Sequence, residues 1–174
     1  MKRQTTIEGS LFKIPLLENK FIYGRIVAGR TVIVYDSITS SELSFEEISK
    51  RKILFRISVA DYVFKKQVPT RWEIIGVYPL EEYLQRSPKF FVQNIADHSD
   101  LKIYDGNTDN DATFEECKNI ERFSIWGHEN VVERINDYYI GNTFGIAYRG
   151  RLKNIEEPTI IQMASQSLEN DAVN

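Results

Sequence analysis

The sequence predicts an α+β fold: a strongly curved, mainly antiparallel sheet, open or closing toward a barrel, with a few short helices and one C-terminal amphipathic helix. Three observations lead there. The first third is dense in β-branched and aromatic residues separated by short connectors. Two capping boxes, Ser44-Phe45-Glu46-Glu47 and Thr113-Phe114-Glu115-Glu116, mark short helices. Only the stretch from Glu129 to Ile140 keeps a helical period.

Taken in order, Leu11-Phe12-Lys13-Ile14, Phe21 to Val27 and Thr31 to Tyr35 read as strands, joined by Glu18-Asn19-Lys20 and Ala28-Gly29-Arg30. Connectors of that length join neighbouring antiparallel strands, so a meander is expected. Apolar side chains on both parities of these strands suggest the curvature. The first capping box starts a helix that ends by Arg51-Lys52, and Ile53 to Val59 resumes as a strand. Arg71 to Val77 is another strand, and Pro79-Leu80-Glu81-Glu82-Tyr83-Leu84 reads as a helix with proline in its first turn. Lys89 to Gln93 and Leu101 to Tyr104 are two further strands. Glu121 to Trp126 leads into the helix 129–140, with Val131, Ile135 and Tyr138 on one face, Glu133, Arg134 and Asp137 toward solvent, and Gly141 as its stop. The pattern makes residues 1–150 one domain and 151–174 a loosely ordered tail around the apolar Ile160-Ile161-Gln162-Met163.

With 174 residues, 42% of them hydrophobic, the chain can bury one sizeable core. Lys+Arg number 22 against 25 Asp+Glu, a net charge of -3, too mild for a general nucleic-acid or membrane binder. The single cysteine, Cys117, excludes an internal disulfide and suits a reducing compartment. The N-terminal residues are followed by Ile7-Glu8-Gly9-Ser10 rather than an apolar run, and no stretch reaches membrane-spanning length, so a cytoplasmic location is expected.

Catalytic constellations are not legible. His98 and His128 fall in different elements, the former in a polar loop beside Asp97 and expected to be solvated, the latter expected to pack or cap a helix. Cys117 lies among Glu115, Glu116 and Lys118, where neighbouring carboxylates oppose a thiolate, and reads as a structural thiol. The pairs Glu46-Glu47, Glu81-Glu82 and Glu115-Glu116 sit in first turns of expected helices, where cap and dipole chemistry explains them. Gly24 and Gly29 are isolated glycines near strand turns. No enzyme, cofactor or metal is expected. The segment from Asp105 to Glu116 has acids or amides at calcium-loop spacing, with Asn110 where a left-handed residue would be needed, but a strand precedes it instead of an entering helix. Either the segment is a solvated loop, or Asp105, Asp109, Asp111 and Glu115 form a negative patch for a basic partner. Trp72, Trp126 and Tyr23 read as core; the alternative is a ligand pocket on the curved sheet lined by Tyr23, Arg25 and Trp72.

Several blocks together resemble the immunity protein 26 family of bacterial polymorphic toxin systems. They are Phe12-Lys13-Ile14-Pro15-Leu16, Tyr23-Gly24-Arg25, Phe55-Arg56-Ile57, Arg71 to Gly76, Phe90 to Gln93, Glu115-Glu116-Cys117, and Ile120 through Trp126 followed by His128-Glu129-Asn130-Val131-Val132-Glu133-Arg134. The resemblance spans about residues 10–142, with Asn119 and Ile120 departing from the glycine and leucine usual there. It implies an α+β protein made beside a toxin gene that neutralises the toxin by direct binding, without catalysis. Glu121 and Arg122 would pair within the sheet and Arg134 would anchor the helix. The implied partner is the cognate toxin domain, with a nuclease among the candidates, and neither nucleic acid nor a membrane is contacted directly. The contrasting reading is a small-ligand- or metal-responsive binding module.

Overall fold

The computed structural model describes residues 5–65, 70–154, 156–157 and 159. The chain is α+β and divides into two compact units, one from residues 1–88 and 124–149, the other from 89–123 and 150–174.

The first unit is built on a six-stranded sheet. Strands β1 (Ser10–Pro15), β2 (Phe21–Val27), β3 (Thr31–Tyr35) and β4 (Ile53–Val59) form the expected antiparallel meander. The two tight connectors have a common cause: Glu18 and Asn19, then Gly29 and Arg30, all take positive φ, the paired left-handed conformation that matches the twist of a hairpin. β5 (Glu73–Val77) adds antiparallel to β1, past a register shift between Leu11 and Phe12.

Because side chains alternate along a strand, the sheet has two apolar faces and each has its own cover. Phe12, Ile14, Ile22, Ile26, Val32, Val34, Phe55, Ile57 and Trp72 belong to one cluster, with Val131 and Ile135. Leu11, Tyr23, Val27, Ile33 and Tyr35 belong to the other, with Ile48 and Leu84. Ile48 lies on α1 (Phe45–Ser49), where Ser44 and Glu47 cap each other as the capping box requires. Gly24 is not at a turn but at mid-strand: it is the register partner of Phe12, and a β-carbon there would lie 2.4 Å from the Phe12 ring.

The second unit holds a four-stranded sheet, in the order β8, β7, β6, β9, of β6 (Phe90–Gln93), β7 (Leu101–Tyr104), β8 (Asp109–Asp111) and β9 (Glu121–Arg122). Its core is Phe91, Leu101 and Cys117, the last on α2 (Phe114–Cys117). The segment 121–126 therefore divides: β9 runs parallel to β6, whereas β10 (Ile125–Trp126) runs parallel to β4 in the first unit's sheet. Both sheets are open, not closed into barrels.

Two helical expectations need correction. Residues 79–84 hold only a 3-10 turn, Glu82–Leu84, after an extended Glu81. An α-helix there would need the Pro79 carbonyl as an acceptor, but the Arg25 guanidinium takes it. On α3 (His128–Ile140), Val131 and Ile135 are buried but Tyr138 is not. Arg134 fills that face instead, its guanidinium 4.3 Å from the Phe55 ring centre and 5.1 Å from that of Trp126. Asp137 is also engaged, accepting hydrogen bonds from the Asn142 side chain at 2.7 Å and the Ile146 N–H at 2.8 Å. Gly141 ends α3 at φ +68° as expected, and α4 (Ile146–Arg149) follows. Among the described residues no helix is long and apolar enough to cross a membrane. Most of the segment 151–174, including Ile160 to Met163, lies outside the described residues.

Candidate functional site

The acidic segment of the second unit is a hairpin followed by a helix cap. β7 and β8 pair antiparallel through Lys102 and Asp111, Ile103 and Asn110, and Tyr104 and Asp109. Asp105 makes the turn: one carboxylate oxygen accepts the N–H groups of Asn107 and Thr108, each at 3.0 Å. Those backbone donors, Thr108 foremost, hold the Asp105 carboxyl below its ordinary range. Gly106 supplies the positive φ. Asn110 sits at mid-strand with no left-handed conformation, so the calcium-loop spacing does not become calcium-loop geometry.

The four acids of the patch consequently have different tasks. Asp105 is spent on the turn. Glu115, in the first turn of α2, pairs with Lys118 at 3.7 Å. Asp109 and Asp111 are exposed, share a side of β8 by strand alternation, and make no side-chain hydrogen bond or ion pair among the described residues. β8 is also an edge strand in its sheet. The two carboxylates thus lie together on an exposed edge, with Lys102 as the register partner of Asp111. Among the described residues no group of three or more His, Cys, Asp or Glu side chains could hold a metal ion.

The three residues Tyr23, Arg25 and Trp72 do not line one cavity. Trp72 is on the opposite face of the first unit's sheet, stacked on Phe12 at 5.1 Å and donating its indole N–H to His128 Nδ1 at 3.1 Å. Tyr23 is buried and its hydroxyl accepts the Leu43 N–H at 2.9 Å. Arg25 is 0% exposed. Its guanidinium donates to Glu81 at 2.8 Å, to the Tyr78 carbonyl at 2.8 Å and to the Pro79 carbonyl. The Phe45 ring lies 4.9 Å away and is itself stacked on Tyr78, with ring centres 3.9 Å apart. Burial pushes the neighbouring Tyr35 phenol above its ordinary value, against the Arg25 hydrogen bond that lowers it.

Glu81 was legible only as a helix-start acid. The overlooked signal is Arg25 itself, the one charge in the otherwise uncharged run from Phe21 to Val27, which on burial demands an acid from elsewhere in the chain.

Cys117 is buried and burial raises its thiol pKa, so it stays protonated near neutral pH. His98 is not solvated: it is 3% exposed, its carbonyl accepts the Gln93 side-chain amide at 2.9 Å, and its Nδ1 has no partner among the described residues. The same Gln93 amide bonds both backbone groups of Lys153. Arg122 reaches the Gln93 carbonyl at 3.3 Å, within the second sheet.

Residues 7–101, more than half of the chain, match the model of a family described as Immunity protein 26. No curated protein and no solved structure matches. The matched stretch takes in β1 through β6 and the first residue of β7, with Arg25 and Glu81; the hairpin acids lie beyond it.

Proposed function

The chain belongs to the immunity protein 26 family, and on that premise we propose that it neutralises a cognate bacterial toxin by direct protein-protein binding in the cytoplasm, without catalysis. The observation that supports the contact most directly is the β8 edge, where Asp109 and Asp111 carry exposed carboxylates with no side-chain hydrogen bond or ion pair among the described residues. A preformed negative edge steers association with a basic surface, such as the phosphate-binding groove of a nuclease, and competes there with the anionic substrate. The reading needs no cofactor and no contact of this chain with nucleic acid or a membrane.

The test is co-expression with the toxin domain encoded by the adjacent gene, followed by association kinetics on the purified pair. Protection from the toxin and a complex stable at micromolar concentration are expected. Asp109→Asn with Asp111→Asn should slow association about tenfold at low salt, within the range that electrostatic steering supplies. A wild-type chain that neither protects nor binds would sink the proposal, and unchanged kinetics in the double variant would remove β8 from the interface.

A further inference from the structure

The first unit has an open groove of about 690 Å3 lined by Glu8, Val77, Tyr78, Pro79, Leu80 and Gln85. Its wall is held from beneath. Arg25 takes the carbonyls of Tyr78 and Pro79 and pairs with Glu81. The Tyr78 ring rests on Phe45, and the Tyr78 N–H donates to the Gly9 carbonyl at 3.0 Å. Gln85 closes the far side by donating to the Leu80 carbonyl at 2.8 Å. These bonds leave the groove with few backbone groups to offer and a fixed shape, the condition under which little ordering entropy is lost on binding.

What faces solvent is a mixed lining, in which Val77, Pro79 and Leu80 supply the apolar part beside negative charge. Val77 is 54% exposed, at the end of the outermost strand of its sheet. Glu8 is exposed and forms no hydrogen bond or ion pair among the described residues. Arg56 feels its charge without bonding it among the described residues, its Nε donating to Thr31 and its Nη2 to the carbonyls of Ala28 and Arg86. Glu81 remains 38% exposed while bonded to Arg25. The complement is therefore an apolar side chain with a cation next to it.

Resting on the immunity reading, we propose that this groove docks a short extended segment of the toxin domain, placing an apolar side chain against Val77 and Leu80 and a lysine or arginine against Glu8. The groove and its Arg25 clamp all fall within the stretch that matches the family, residues 7–101, whereas the acidic hairpin does not. The groove thus supplies the anchor, and the β8 acids act on the rate of approach.

Calorimetry with the purified toxin domain tests this, comparing wild type, Glu8→Lys, and Val77→Asp, all in the full chain. Both substituted positions are exposed, and unchanged thermal unfolding would show that each variant is folded. At least tenfold weaker binding in each variant is expected. Wild-type binding that persists within twofold in both variants would overturn the groove while leaving the immunity function standing. Failure of the wild type to bind would overturn both. Loss confined to the Asp109→Asn, Asp111→Asn protein would place the contact on β8 and reject the groove.

Discussion

At the scale of single residues, the decisive feature is how the buried charge of Arg25 is met. Arg25 is retained in an apolar sheet because three acceptors and an aromatic face surround it, and removing one partner of a buried pair is costly even where creating the pair was not profitable. His128 is the residue whose behaviour is most open to a simple test. Its Nδ1 can accept the Trp72 indole proton only while the ring is neutral, and burial lowers its pKa below 6.5 against a smaller opposing effect of Glu129. A proton there would also place positive charge in the first turn of α3, the positive end of the helix dipole. The sign follows: the unfolded chain binds the proton more readily, so this contribution is complete above pH 6.5 and is lost as pH falls from 6.5 toward the folded value. Urea unfolding at pH 7.5 and 5.5 should show a larger loss for wild type than for His128→Gln. Equal losses would mean that His128 is not the group responsible.

At the scale of elements, two glycines do separate work. Gly24 lets the Phe12 ring lie across the centre of β2, which aligns it for stacking on Trp72. Gly24→Ala puts a carbon 2.4 Å from that ring and 2.9 Å from the Ile33 carbonyl, so ring or strand must move. A loss of about 1–3 kcal/mol is expected, the usual penalty for overpacking, measured by equilibrium unfolding. Gly141 has open space around it but sits at φ +68°. Gly141→Ala should therefore cost about 1 kcal/mol from backbone conformation alone. A larger loss at Gly141 than at Gly24 would contradict the packing described for the sheet.

At the scale of the whole molecule, net charge of -3 is too small to steer anything by itself. What matters is where exposed acids stand beside a candidate contact: Asp109 and Asp111 on the β8 edge, and Glu8 at the groove. Interaction among exposed charges is screened beyond about 8 Å at physiological ionic strength. Toxin association should therefore slow as salt rises, while dissociation, set by the apolar part of the contact, changes little. Stopped-flow measurements between low and high salt check this, and a salt-independent association rate would argue against electrostatic approach.

The sequence alone determined the local events, because their causes are local. The meander, both capping boxes and the Gly141 stop depend on residues a few positions apart, and of the blocks that carry the family resemblance those from Phe12 to Gln93 lie within the matched stretch, whereas those from Glu115 onward lie beyond it. The acid-rich segment was visible as composition, but not its division of labour, since whether Asp105 bonds its own backbone or a partner depends on a turn conformation. Only the tertiary structure decided which face of a doubly covered sheet each aromatic takes, and so separated Trp72 from Tyr23 and Arg25. Only it brought Glu81 to Arg25 across more than fifty residues and spent on that pair the carbonyl that a helix at 79–84 required. Period and composition are read along the chain, whereas the partner of a buried charge is chosen by packing between segments far apart in it.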